Sequence, residues 1–105
     1  MRIFTMALLL AEAGASYALA QEPGDPAMGL RYAHQVCAQC HAVEKGDRFS
    51  PNRLAPSFQD VANTPGMTHI SLTVALRSVH ENMPAYVLAP DERDNIIAYI
   101  LSLQH

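Results

Sequence analysis

The sequence contains no tryptophan, a single lysine (Lys45) and only two cysteines among its 105 residues. Each scarcity removes a class of explanation. With one lysine and a formal net charge of −3, the chain carries no basic footprint of the kind that nucleic-acid binding needs. Two cysteines cannot build the multi-bridge framework of a small disulfide scaffold, nor a four-cysteine zinc site. The longest apolar run, residues 3–11, is too short to cross a bilayer as a helix. Internal repeats, low-complexity tracts and paired strand patterns are also missing, which leaves a single helical domain as the expected architecture.

The N-terminal residues 1–20 read as a secretory leader. Arg2 is the positive start, residues 3–11 are the apolar centre, and Ala18-Leu19-Ala20 is a small-residue cleavage site. The cut is expected after Ala20, with Ala15 and Ala18 as alternatives. Glu12 interrupts the apolar stretch, so a retained amphipathic anchor is the competing reading. Residues 21–105 then form one domain, small enough that a modest core calls for an additional staple.

Such a staple is implied by the run Cys37-Ala38-Gln39-Cys40-His41. Cys-x-x-Cys-His is the attachment site of c-type haem. Positions i, i+3 and i+4 share one face of a helix, so both thiols can add to the two vinyl groups of one porphyrin while the imidazole of His41 reaches the iron from the same side. The alternatives fit less well. A thioredoxin-like thiol pair needs a strand–helix setting, and a zinc site needs a second pair of ligands. A disulfide between residues three apart is rare. Covalent haem attachment in bacteria takes place outside the cytoplasm, in keeping with the leader. A porphyrin would also supply apolar surface for the helices to wrap, so the haem-free chain is expected to be poorly folded.

Beyond the leader, a Pro-, Gly- and Asp-rich loop over 21–26 leads into an expected helix over 27–40, with Gly29, Ala33 and Val36 at i, i+4 and i+7. Residues 44–56 read as a polar loop, and 56–63 as a short helical turn around Phe58 and Val61, stopped by Thr64-Pro65-Gly66. Over 68–79 two periods compete. Ile70, Leu72, Val74 and Leu76 alternate as in a strand, whereas Leu72, Ala75, Leu76 and Val79 repeat as in a helix. No partner strand exists and Thr68 is a fair N-cap, so helix is the choice. Residues 81–89 form a loop carrying Met83-Pro84. Pro90 then opens a last helix at the position where its missing amide costs nothing, with Asp91 and Glu92 at the positive end. Ile96, Ile97, Ile100, Leu101 and Leu103 give that helix a wide apolar face. The expected fold is all-α with long connecting loops, an arrangement that suits a chain wrapped around something else.

A haem held by His41 has a second axial position. Thioether sulfur there would favour ferrous iron. Met83 is the first choice, because it lies on a loop between two helices that can fold over the far face of the ring, and Pro84 stiffens the backbone beside it. Met67 and His80 remain alternatives, and Met28 lies too near the attachment run to cross the ring. His34, His69 and His105 are expected to be solvated or locally hydrogen-bonded. The ring proton of His41 needs an acceptor, which the loop up to Pro56 can supply. Pro56 as a mere turn residue is the equal alternative.

Taken together, Gly29 eight residues before Cys37, the Cys37–His41 run, Leu54-Ala55-Pro56, Met83-Pro84 and Ile96-Ile97-Ala98-Tyr99-Ile100 resemble the class I cytochromes c of bacteria. The resemblance covers nearly all of residues 21–105. It implies a cytochrome c fold in which the N- and C-terminal helices cross near Gly29 and further helices and loops wrap one covalently bound haem c. It implies His41 and Met83 as axial ligands, and Pro56 as the residue whose carbonyl receives the histidine's ring proton. It further implies single-electron transfer between membrane or periplasmic donor and acceptor proteins, by a periplasmic monomer that is a carrier and not an enzyme. The sequence departs from the family at Ala33, where an aromatic residue is common and Tyr32 stands next door, and at Ala89, where the last helix usually has a Ser or Thr cap. Without tryptophan, Arg53, Arg77 and Tyr86 are candidate substitutes for a propionate contact, with solvated arginines the equal alternative. Without a ring of lysines, docking through a basic face is excluded. The rival from another class is a haem enzyme or gas sensor with a labile or missing sixth ligand.

Overall fold

The computed structural model describes residues 23–80, 82–84 and 86–105. The expected leader and its cleavage site, the start of the loop that follows, and Glu81 lie outside them. Among the described residues α-helices occur in the order α1 (Pro26–Gln35), α2 (Phe58–Ala62), α3 (His69–Arg77) and α4 (Pro90–Ser102), and a 3₁₀ turn (Cys37–Gln39) follows α1. The described residues contain no β-strand, only an isolated bridge between His80 and Met83.

Local chemistry accounts for most helix starts. The Asp25 carboxylate accepts from the Ala27 N–H at 2.9 Å, and Pro26 occupies the first turn of α1. The hydroxyls of Ser57 and Thr68 cap α2 and α3 by accepting from the Asp60 and Ser71 amides at 3.1 and 3.2 Å. Helix α4 has Ala89 at its N-cap and no side-chain cap at all.

Over 68–79 the helical period wins. Leu72 is buried while Ile70 and Val74, the alternating partners that a strand would place beside it, are exposed. The helix ends sooner than expected, however. Ser78 is extended (φ −115°, ψ 143°), and Val79 lies beyond the helix in solvent instead of continuing its buried face.

The expected helix over 27–40 also needs correction. It stops at Gln35, and Val36 leaves helical geometry at φ −120°, ψ −48°. The chain then tightens, so that the Cys37 carbonyl accepts from both Cys40 N–H (3.1 Å) and His41 N–H (2.9 Å). Adjacent residues cannot share a face of a continuous α-helix. The break lets Val36 and Cys37 face the same way, and in a 3₁₀ turn residues i and i+3 eclipse, which aligns Cys37 with Cys40.

The most extensive helix packing is that of α1 against α4. Ala33 is wholly buried there. At Gly29 an added Cβ would lie 2.6 Å from the Asn95 carbonyl carbon and 2.8 Å from Tyr99 Cβ, so only glycine allows the two backbones this close. Gly24, at φ +98°, takes a left-handed conformation against the Asp94 carbonyl. Residues 96–100 of α4 are all buried, because α1 covers one side and α2 and α3 the other. Around them Val43, Phe58, Ala62, Leu72 and Leu103 complete the core.

Candidate functional site

The core is not filled to its edge. Between the 3₁₀ turn, the 52–56 loop, α3 and residues His80, 82–84 and Tyr86 lies a cavity of about 340 Å³. Its wall is mostly apolar, built from Val36, Leu54, Val61, Leu72, Leu76 and Ile96 among others. Cys37, Cys40, His41, Pro56 and Met83, the five candidate site residues, all line it. Met67, His80 and Tyr86 line it as well, whereas Met28, His34, His69, His105, Arg53 and Arg77 do not.

The two thiols are free, Cys37 half-buried and Cys40 exposed. Burial pushes the Cys37 thiol up to about 11, so it stays protonated at neutral pH. Next to them, His41 is held from two sides. Its Nδ1 lies 2.7 Å from the Pro56 carbonyl oxygen. A carbonyl only accepts, so Nδ1 carries the proton and Nε2 keeps its lone pair. The Phe58 ring packs against the imidazole at a centroid distance of 5.3 Å and in turn meets Tyr99 at 6.4 Å.

Backbone hydrogen bonds fasten this loop to the Cys-x-x-Cys-His run. Asn52 N–H donates to the Cys40 carbonyl at 3.1 Å, Phe58 N–H to the Ala42 carbonyl at 2.8 Å, and Ala42 N–H to Ser50 Oγ at 3.0 Å. Asn52 also accepts from the Leu54 and Ala55 amides, a tight turn that delivers Pro56 to His41. On the far side, Tyr99 Oη donates to the Val43 carbonyl at 2.5 Å, which ties α4 to the segment after His41. Met83 enters the wall on a tight turn in which its N–H donates to the His80 carbonyl at 3.0 Å.

The remaining histidines are spoken for elsewhere. His34 meets Glu44 at 2.5 Å on the surface, His69 meets Asp94 at 3.2 Å between α3 and α4, and His105 meets Asn63 at 2.6 Å. Tyr32, neighbour of the buried Ala33, packs half-buried against the core edge.

Sequence reasoning missed Phe58 as the wedge behind His41 and Asn52 as the organiser of the loop. Pro51-Asn52 in the polar 44–56 loop is a turn signal that could have found the second, but nothing in the spacing of Phe58 marked it as more than a core residue. No group of three or more His, Cys, Asp or Glu side chains among the described residues could hold a bare metal ion. The donors that face the cavity could instead serve a flat apolar group that brings most of its metal's ligands itself. No protein-family model, curated protein or solved structure matches this chain.

Proposed function

We propose that this chain is an exported, single-haem electron carrier of the class I cytochrome c kind, with haem c bonded through Cys37 and Cys40 and bound axially by His41 and Met83. The observation that carries the reading is the Cys-x-x-Cys-His run, whose histidine, anchored to Pro56, opens on an apolar cavity with Met83 in its wall. When bound, the haem supplies a one-electron ferric–ferrous couple.

The chain's own residues then have distinct tasks. Cys37 and Cys40, aligned by the 3₁₀ turn, form the two thioether links. Pro56 accepts the Nδ1 proton of His41, which fixes the ring and makes Nε2 a better donor. Phe58 blocks rotation of that ring. Met83 offers a soft thioether that favours the ferrous state and raises the potential. The apolar wall keeps water out and lowers the local dielectric. With His41 and Met83 both donating to a bound haem, no place would be left for a substrate, which would suit a carrier and not an enzyme. Its partners are a membrane or periplasmic donor and acceptor, met through brief contacts of small area.

A thiol-exchange module is disfavoured, because such chemistry needs a depressed thiol and Cys37 is pushed the other way. The test is intact mass spectrometry together with a visible spectrum of protein exported with haem-maturation machinery. A mass increase of one haem, a Soret band and a weak ferric sulfur–iron charge-transfer band are expected. A colourless product with the mass of the bare polypeptide overturns the proposal. Rapid binding of carbon monoxide, with no sulfur–iron band, transfers it to the gas-sensor or enzyme class. Met83→Ala should lower the midpoint potential by something on the order of 100 mV.

A further inference from the structure

We propose that His80 is a second donor for the axial position opposite His41 and competes there with Met83, an inference that rests on the haem-binding reading above. His80 and Met83 are backbone partners. The Met83 N–H donates to the His80 carbonyl at 3.0 Å, and the two residues form an isolated antiparallel bridge. Residues directly opposite in such a pair project to the same face, with Cβ atoms about 4.5–5.5 Å apart. Both side chains line the same cavity, Met83 the more buried and His80 the more exposed. One small turn therefore presents a thioether and an imidazole side by side.

The imidazole of His80 is also set up as a ligand. Its Nδ1 lies 3.1 Å from the Ser78 carbonyl oxygen, so the proton sits on Nδ1 and the lone pair on Nε2. His41 has the same arrangement against Pro56. The other histidines contrast with these two, since His34 and His69 have Nε2 turned to carboxylates, and none of the remaining three lines the cavity. Met67 does line it, but its side chain packs against the core and its amide is tied to the Thr64 carbonyl, away from the Met83 turn. Thioether favours ferrous iron, so imidazole competes best in the ferric protein. The exchange replaces one axial donor by another with no change in oxidation state.

The test compares the matured haem protein with its Met83→Ala, His80→Ala and doubly substituted variants by ferric electron paramagnetic resonance, visible spectroscopy and cyanide binding. His80→Gln is included alongside to preserve size and polarity. Met83→Ala should remain low-spin, lose the sulfur–iron charge-transfer band and resist cyanide. Adding either His80 substitution should convert it to a high-spin form open to cyanide, and His80→Ala alone should keep the sulfur–iron band. A Met83→Ala protein that is already high-spin overturns the inference, as does one whose low-spin signal survives removal of His80. Wild-type protein without covalent haem overturns the functional reading itself, a result separate from either of these.

Discussion

The Tyr99 hydroxyl shows how one atom links the closing helix to the site. It donates to the Val43 carbonyl inside the core, so Tyr99→Phe leaves that buried carbonyl without a partner and should cost about 1–2 kcal/mol. Burial, with the Glu44 charge adding to it, holds the phenol above its ordinary value of 10.0. The folded state thus favours the neutral form. The stability this contributes is complete below pH 10.0 and is lost as pH rises through the raised folded value. Denaturant melts at rising alkaline pH should show wild type losing stability more steeply than Tyr99→Phe, and parallel curves would refute the assignment. At the same scale, the Cys37–His41 run could be picked out in the sequence because the motif is defined by residue identity and spacing alone, and the structure brings its three side chains to one cavity. Phe58 could not, since its contact with the imidazole depends on where the loop from Ala42 returns.

Among the elements, the α1–α4 crossing is the tightest. Gly29→Ala would drive a Cβ into the Asn95 backbone, and the helices could relieve it only by separating. The expected loss is about 3 kcal/mol, at the upper end for overpacking a core, read as a lowered melting temperature of the purified protein. Helix α4 offers the opposite opportunity. Ala89 sits at its N-cap in an extended conformation with no capping side chain, and a hydroxyl there could accept from the free amides of the first turn. Ala89→Ser should therefore stabilise the protein by about 1 kcal/mol, again by thermal melting. Both positions could be picked out beforehand, Gly29 from its place in the apolar repeat and Ala89 from the missing cap. The end of α1 could not, because the apolar period ran on through Val36 and Cys37 while the backbone broke between them. That break follows from the cavity, which both side chains face.

For the whole molecule, the decisive feature is a cavity of about 340 Å³ where a small domain would otherwise have core. Apolar walls without contents forfeit dispersion contacts. If the proposed haem fills that space, haem-free chain should show no cooperative native-like melt by circular dichroism whereas the matured protein should, and a cooperative melt of the haem-free chain would show that the helices hold on their own. If the proposed electron-transfer partners exist, the acidic balance and the single lysine should direct docking away from any basic face. The amino-acid order alone determined the Cys-x-x-Cys-His run, the helix starts and the helical class, because capping, periodicity and motif spacing act over a few residues. Tertiary structure alone decided that α1 stops short, that Phe58 backs His41, and that His80 stands beside Met83 on one cavity wall. The first two depend on segments distant in the chain that only packing brings together, and the third on where packing sets the local His80–Met83 turn against the cavity wall.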